Sequence, residues 1–308
     1  TEFLPANQII PTTEAIIRVF DREGERTNRN KARMKYLLKS IGLNDFKKLV
    51  EEERISLNVK EFEINLDKFQ DSGEKEFKSN PKTKEYNEEM FKRWKSSNVL
   101  PQKQKGFYAV KIKLQTGDIS TDIARKLAEL VEGYCSDDIR LTIGQGIILK
   151  YVRAEHFEYI YQELSELGLA NPGADSTADI TTCPGTDTCN LGISNSTGIT
   201  KVLEDIIITE YPDFIYNHDI KIKISGCMNA CGQHSLANIG FHGSSIRTNG
   251  LIAPALQVLL GGGTLRNGNG RVSDKVIKVP SKRGGITLIK LLDDYSDKKV
   301  KRELFNEY

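Results

Sequence analysis

The chain has no charge excess, no long apolar run and no amino-terminal targeting pattern. Lys plus Arg (44) nearly balance Asp plus Glu (42) over 308 residues. That balance gives no reason to expect a nucleic-acid or membrane partner, and any basic site must be local. No apolar run approaches the roughly 20 residues that cross a bilayer, and no signal-peptide pattern opens the chain. A cytoplasmic location is the default expectation, and it suits thiols that must stay reduced. The initiator Met is also lacking. TEFLPANQII begins directly before an expected strand, which reads as a cut end. The 38% hydrophobic content is enough for true cores in two or three domains.

Cysteine is scarce too, with five in all, but four of them fall in two short stretches: TTCPGTDTCN (Thr181 to Asn190) and ISGCMNACGQH (Ile224 to His234). Five residues separate Cys183 from Cys189, and three separate Cys227 from Cys231. Four thiolates are the usual protein complement of a [4Fe–4S] cube. A structural zinc site pairs its cysteines at two to four intervening residues, so the first pair misses that rule and the second fits it loosely. Zinc, two disulfides and plain core cysteines remain alternatives. Core packing and disulfides leave the flanking Pro184, Gly185, Gly226 and Gly232 unexplained. Glycine lets backbone approach a bulky group and aim N–H at anionic sulfur, which favours a cluster nest. Cys135, with no partner nearby in sequence, reads as structural.

The pattern C-x5-C followed by G-C-x-N-x-C-G, about forty residues on, resembles the cluster motif of the sirohaem-dependent nitrite and sulfite reductases, here their C-terminal portion. The resemblance implies that Cys183, Cys189, Cys227 and Cys231 hold a [4Fe–4S] cluster and that Cys231 also bridges to the sirohaem iron, with Asn229 in the motif. It further implies six-electron reduction of nitrite to ammonia or sulfite to sulfide, with ferredoxin or a flavoprotein as electron donor. In that family the anion-binding Lys and Arg residues lie mainly in a first repeat whose motifs are not found here. On that reading an N-terminal half of the same protein is missing. The alternative from another class is a non-catalytic iron–sulfur electron-transfer subunit without sirohaem.

Taken in order, residues 1–41 read as the tail of a first sirohaem domain: a strand at NQIIP, a helix with Ala15, Ile16, Val19 and Phe20 on its apolar side, and a basic helix from about Thr27. Arg22, Arg26 and Arg29 in that stretch are candidate partners for sirohaem carboxylates, against the plainer reading of a solvated helix face. Residues 42–105 read as a charged linker, with a weak helix near Phe46 to Glu53 and Trp94 capping a small apolar contact. Residues 106–172 run β-α-β-β-α and resemble the family's ferredoxin-like half-domain. Within it, Arg140 and the GQG turn at Gln145 are candidate tetrapyrrole contacts.

Residues 173–308 form the expected mixed α/β domain for sirohaem and cluster, so the expected fold class is α+β. Gly261 to Gly263 either cradle an anion or turn the chain. His234 and His242 read as structural. A weak echo of NQIIPTTEAIIRVFDRE in DKVIKVPSKRGGITLIKLLDD, each read as strand, Pro and amphipathic helix, suggests a repeat.

Overall fold

The computed structural model describes residues 3–65, 84–136, 139–301 and 303–308. Most of the polar run expected to be exposed, SGEKEFKSNPKTKEYNEE, lies outside the described residues. The chain forms two compact units, Thr1–Asp71 and Ser72–Tyr308.

The first unit is helical: α1 (Ile9–Glu23), α2 (Met34–Ile41) and α3 (Leu43–Ser56). The strand expected at NQIIP is absent. A 3-10 turn, Ala6–Gln8, leads into α1, whose Ile9 and Ile10 are exposed. Pro11 sits in the first helical turn, where its missing N–H has no intrahelical partner to lose. The basic helix also starts later than expected, at Met34, after a 3-10 turn at Arg29–Lys31. Helix α3 falls where composition suggests linker, yet its Phe46 and Val50, one turn apart, pack with Ala15 and Val19 of α1 and Leu37 of α2. The polar face of α3 misleads because only this narrow apolar stripe is buried.

The second unit holds two hydrophobic cores. It opens with α4 (Glu88–Asn98) and β1 (Val99–Pro101), followed by β2 (Phe107–Ile112), α5 (Thr121–Tyr134), β3 (Ile139–Leu141), β4 (Ile147–Arg153) and α6 (Phe157–Glu166). The sheet is antiparallel in the order β1-β2-β4-β3. The expected β-α-β-β-α order is present, and Ser120 caps α5 by accepting from the Ile123 N–H (3.3 Å). Helix α4 and β1 extend it into the stretch that reads as linker. Trp94 is fully buried in this core, with its ring 5.2 Å from that of Tyr161 and 6.0 Å from that of Phe91. It is a central packing residue, not a cap on a small contact. Cys135 is also fully buried here, and burial pushes its thiol up to about 12.

The second core belongs to a five-stranded sheet. Its elements are β5 (Thr181–Thr182), α7 (Ser196–Glu210), β6 (Ile222–Ser225), β7 (Ile239–Thr248), β8 (Leu251–Leu260), the short clip β9 (Gly263–Thr264) with β10 (Gly270–Arg271), β11 (Asp274–Pro280) and α8 (Gly284–Lys298). The strand order is β11-β8-β7-β6-β5, parallel across β5, β6 and β7 and antiparallel beyond. Leu203 and Ile207 of α7 and Leu288 and Leu292 of α8 are fully buried in this core. Each such side chain contributes about 1.5–3 kcal/mol relative to exposure. The C-terminal member of the sequence echo is indeed strand, Pro and helix, whereas the N-terminal member is helical throughout.

Candidate functional site

Because β5 and β6 run parallel, both chains leave the sheet at the same end, and both cysteine stretches begin there. Cys183 directly follows β5, and Cys227 lies two residues past β6. Backbone bonds tie the loops together. The Cys183 N–H donates to the Ile224 carbonyl (3.2 Å), and the Ile193 and Ser194 N–H groups donate to the Gly226 carbonyl (2.8 and 3.1 Å).

The decisive contact is to sulfur: the Gly226 N–H donates to Cys183 Sγ at 3.1 Å. Glycine is obligatory at two points of this packing. A Cβ on Gly226 would stand 2.5 Å from Gly185 Cα, and one on Gly232 would stand 1.9 Å from the Ile224 carbonyl oxygen and 3.0 Å from the Cys183 nitrogen. The glycines that flank the cysteines are therefore where two backbones touch.

Ser196 at the start of α7 donates to the Cys183 carbonyl (2.6 Å), and its Oγ lies 3.8 Å from Cys183 Sγ. Asn195 caps the same helix by accepting from the Gly198 N–H (2.6 Å), so the helix start is locked beside the first loop. Ser225 Oγ accepts from the Gly232 N–H (3.0 Å) and braces the second loop. Sequence reasoning missed Ser196 and Ser225, although the capping pattern NSTG was a usable signal for the first.

The side chains differ in exposure: Cys227 is buried, Cys183 is half-buried, Cys189 and Cys231 are exposed, and Asn229, between Cys227 and Cys231 in the sequence, is half-buried. Exposed Leu191, Ile193 and Met228 stand in the same loops. Among the described residues no three His, Cys, Asp or Glu side chains are grouped to hold a metal ion. The backbones thus bring the loops together, while the four thiols are not gathered into one ligand set. The donor chemistry nevertheless fits a thiolate-held cluster, because soft sulfur ligands, backbone N–H aimed at sulfur and glycine-lined approach are what such a group requires.

The remaining candidates have the following surroundings. Arg22, Arg26 and Arg29 belong to the first unit. Arg22 pairs with Glu53 of α3 (2.8 Å) and Glu23 (3.0 Å), and Arg26 with Asp21. Two of the three candidate carboxylate partners therefore already have local ones, and Arg29 is exposed in its 3-10 turn. Arg140 is exposed on edge strand β3. The Gln145 side chain bonds to the backbone of Thr182, so its carboxamide is already engaged by protein. Gly261 and Gly262 turn the chain: their N–H groups donate to the Asn238 and Ala237 carbonyls (both 3.0 Å), which leaves neither N–H for an anion. His234 and His242 are buried with ring centroids 4.7 Å apart. Burial, followed by the neighbouring His242 charge, lowers His234 to about 4, so it is neutral at pH 7.

Residues 1–58 and 173–303 match the nitrite and sulphite reductase 4Fe-4S domain, more than half of the chain, and residues 100–167 match the nitrite/sulfite reductase ferredoxin-like half domain. The chain belongs to the nitrite and sulphite reductase family. Within this family it is 25% identical over 265 residues to the ferredoxin–nitrite reductase of Synechococcus elongatus, covering 84% of this chain and 46% of that protein. It is also 25% identical over 265 residues to sulfite reductase [ferredoxin] 1 of Mycolicibacterium paratuberculosis, covering 85% of this chain and 43% of that one. The fold matches the structure of Mycobacterium tuberculosis NirA protein with a TM-score of 0.72 at 23% identity, over 99% of this chain and 52% of that one. The chain thus spans about half the length of the curated relatives it matches. The expected α+β class with a ferredoxin-like half-domain agrees with both family matches and this fold.

Proposed function

We propose that this family member is the cluster-carrying portion of a nitrite or sulfite reductase, in which Cys183, Cys189, Cys227 and Cys231 bind one [4Fe–4S] cluster and Cys231 is shared with a sirohaem iron. The observation that carries the reading is the pair of cysteine loops leaving adjacent parallel strands with the Gly226 N–H on Cys183 Sγ. When bound, the two groups would supply single-electron chemistry for the reduction of an oxyanion.

The chain's own residues supply the frame. Gly226 aims its backbone N–H at the Cys183 sulfur, where it would donate to a metal-bound thiolate. Gly185 and Gly232 let the loops close on each other without side chains between them. Holding one cluster would require the exposed Cys189 and Cys231 side chains to turn toward Cys183 and Cys227. Exposed Leu191, Ile193 and Met228 provide an apolar surface suited to a macrocycle face.

Among the described residues no helix is long and apolar enough to cross a membrane. The relatives' names specify ferredoxin, and we infer the same one-electron donor here, in a reducing compartment such as the cytoplasm. The six-electron activity is assigned to a protein of the relatives' full architecture. The cluster is the part these residues carry.

The test is anaerobic purification from iron-replete cells, followed by iron and sulfide determination and extraction of pigment with acidic acetone. About five irons per chain, four in the cluster and one in the tetrapyrrole, and an isobacteriochlorin spectrum are expected. Iron without pigment would leave only an electron-transfer subunit, and a colourless, iron-free protein would overturn the cluster assignment.

A further inference from the structure

Strand β5 is two residues long and forms the edge of its sheet. In a parallel ladder the N–H and C=O of one residue point to the same side, and successive residues alternate. Cys183 turns its N–H inward to the Ile224 carbonyl (3.2 Å), so Thr182 must turn both of its groups outward, away from β6. Thr182 is buried, where an unpaired backbone donor and acceptor are costly.

The outward groups are met by one side chain from the ferredoxin-like half-domain. Gln145 Nε2 donates to the Thr182 carbonyl (2.8 Å), and Gln145 Oε1 accepts from the Thr182 N–H (2.8 Å). This carboxamide pairs as a neighbouring strand would. The turn that presents it is closed by its own bonds, from the Thr142 N–H to the Gly146 carbonyl (2.9 Å) and from the Gln145 N–H to the Thr142 carbonyl (3.0 Å). Gly117 makes room for it, since a Cβ there would stand 3.0 Å from Gln145 Cβ.

Gln145 also has φ of +70°, a left-handed conformation in which glycine would be relaxed. Flanked by two glycines, the position keeps a strained, long side chain whose two polar atoms are both engaged on one residue.

We propose that Gln145 is a positioning residue for Cys183: its carboxamide stands in for an absent strand, fixes the two-residue β5, and so sets where the first cluster thiolate leaves the sheet. This inference rests on the cluster reading of Cys183. It makes the half-domain a working part of the metal site and gives the GQG turn a role other than contact with a tetrapyrrole.

The test uses the full chain, with and without iron, and compares wild type with Gln145→Met, Gln145→Gly and Gln102→Met. The Met variant keeps volume and strain but removes both bonds. The Gly variant removes the bonds and relieves the strain, so it folds even where Met does not. Gln102 accepts from the Tyr151 N–H (2.6 Å) within the half-domain and controls for the loss of a comparable bond away from the cysteines.

Both Gln145 variants are expected to speed amide exchange at Thr182 and Cys183 about tenfold or more in the iron-free chain. In the loaded chain they should speed cluster loss to a chelator severalfold and move the cluster midpoint potential, while Gln102→Met does neither. Unchanged exchange in both variants would overturn the clamp. Faster exchange with unchanged iron retention and potential would overturn its role for the cluster. A wild-type chain that takes up no iron, with exchange still accelerated in the variants, would uphold the clamp and sink the cluster reading instead.

Discussion

The ferredoxin-like half-domain and the cysteine-bearing sheet belong to one compact unit but are built on opposite plans. The half-domain is held by bulk: the rings of Trp94, Phe91 and Tyr161 pack against one another, and helices capped by Asn87 and Ser120 cover an antiparallel sheet. The cysteine end of the other sheet is held by close approach, with Gly226 on Gly185 and Gly232 on Ile224, and by the Ser196 and Ser225 hydroxyls and both carboxamide atoms of Gln145. Packing by bulk tolerates repacking. Packing by backbone contact does not, and it leaves side chains at the loop surface free for a ligand.

Substitutions should therefore separate the two regions. The largest effect is expected from Gly232→Ala, because its Cβ would meet a backbone carbonyl with no flexible side chain to yield. Thermal unfolding should show a loss of about 4 kcal/mol or more, and iron uptake should vanish even in the fraction that folds. Iron uptake at the wild-type level would show that the loops do not depend on this approach.

Trp94→Ala should cost about 3–5 kcal/mol by leaving a cavity in the half-domain core. Molecules still folded at low temperature should keep a normal iron content. Loss of iron in step with Gly232→Ala would erase the contrast.

Where the regions meet, Lys113 Nζ lies 3.2 Å from Glu204 Oε2, both side chains being at least 95% buried, and Glu204 Oε1 accepts from the Ile180 N–H (3.0 Å). Lys113→Met would bury an unpaired carboxylate and should cost about 3 kcal/mol in denaturant titration. Adding Glu204→Gln should recover much of that loss.

The smallest effects concern pH. Burial raises Asp179 from its ordinary 3.8 to about 6. The folded chain then binds the proton more tightly than the unfolded one, so this group's stabilisation is full at low pH and is lost as pH rises from about 4 to 6. His234, lowered to about 4, acts oppositely: below its ordinary 6.5 the unfolded chain takes up a proton that the folded one refuses, and stability falls toward pH 4. Relative to wild type, Asp179→Asn should make stability rise more steeply with pH across 4–6.5, and His234→Gln should make it rise less steeply. Parallel profiles for both variants would contradict these assignments.

The half-domain was legible where burial imposes a period. Val110 and Ile112 alternate along β2, and Leu127, Leu130 and Val131 repeat along α5. Helix α4 was not legible, since its one large buried apolar residue, Trp94, stands among Lys, Arg, Glu and Ser. At the cysteine end, spacing and flanking glycines pointed to the loops, because close backbone approach demands glycine in the sequence itself. The partners of Arg22 and Gln145 were not legible. Glu53 is 31 residues from Arg22, and Thr182 is 37 from Gln145, and no local pattern encodes such pairings. Likewise the start of α1 was hidden by β-branched Ile9 and Ile10, which favour a strand until Pro11 is placed in a first helical turn.

One measurement bears most directly on the proposal that the Cys231 thiolate is shared. Cys231→Ser, prepared anaerobically beside wild type, should be compared by Mössbauer spectroscopy of iron-57 together with the visible spectrum. Wild type should show four cluster irons magnetically coupled to a fifth, tetrapyrrole-bound iron, and the variant should lose that coupling along with most of its cluster. A variant that keeps both chromophores and their coupling would contradict the assignment of Cys231, and with it the account of why these two loops are held together.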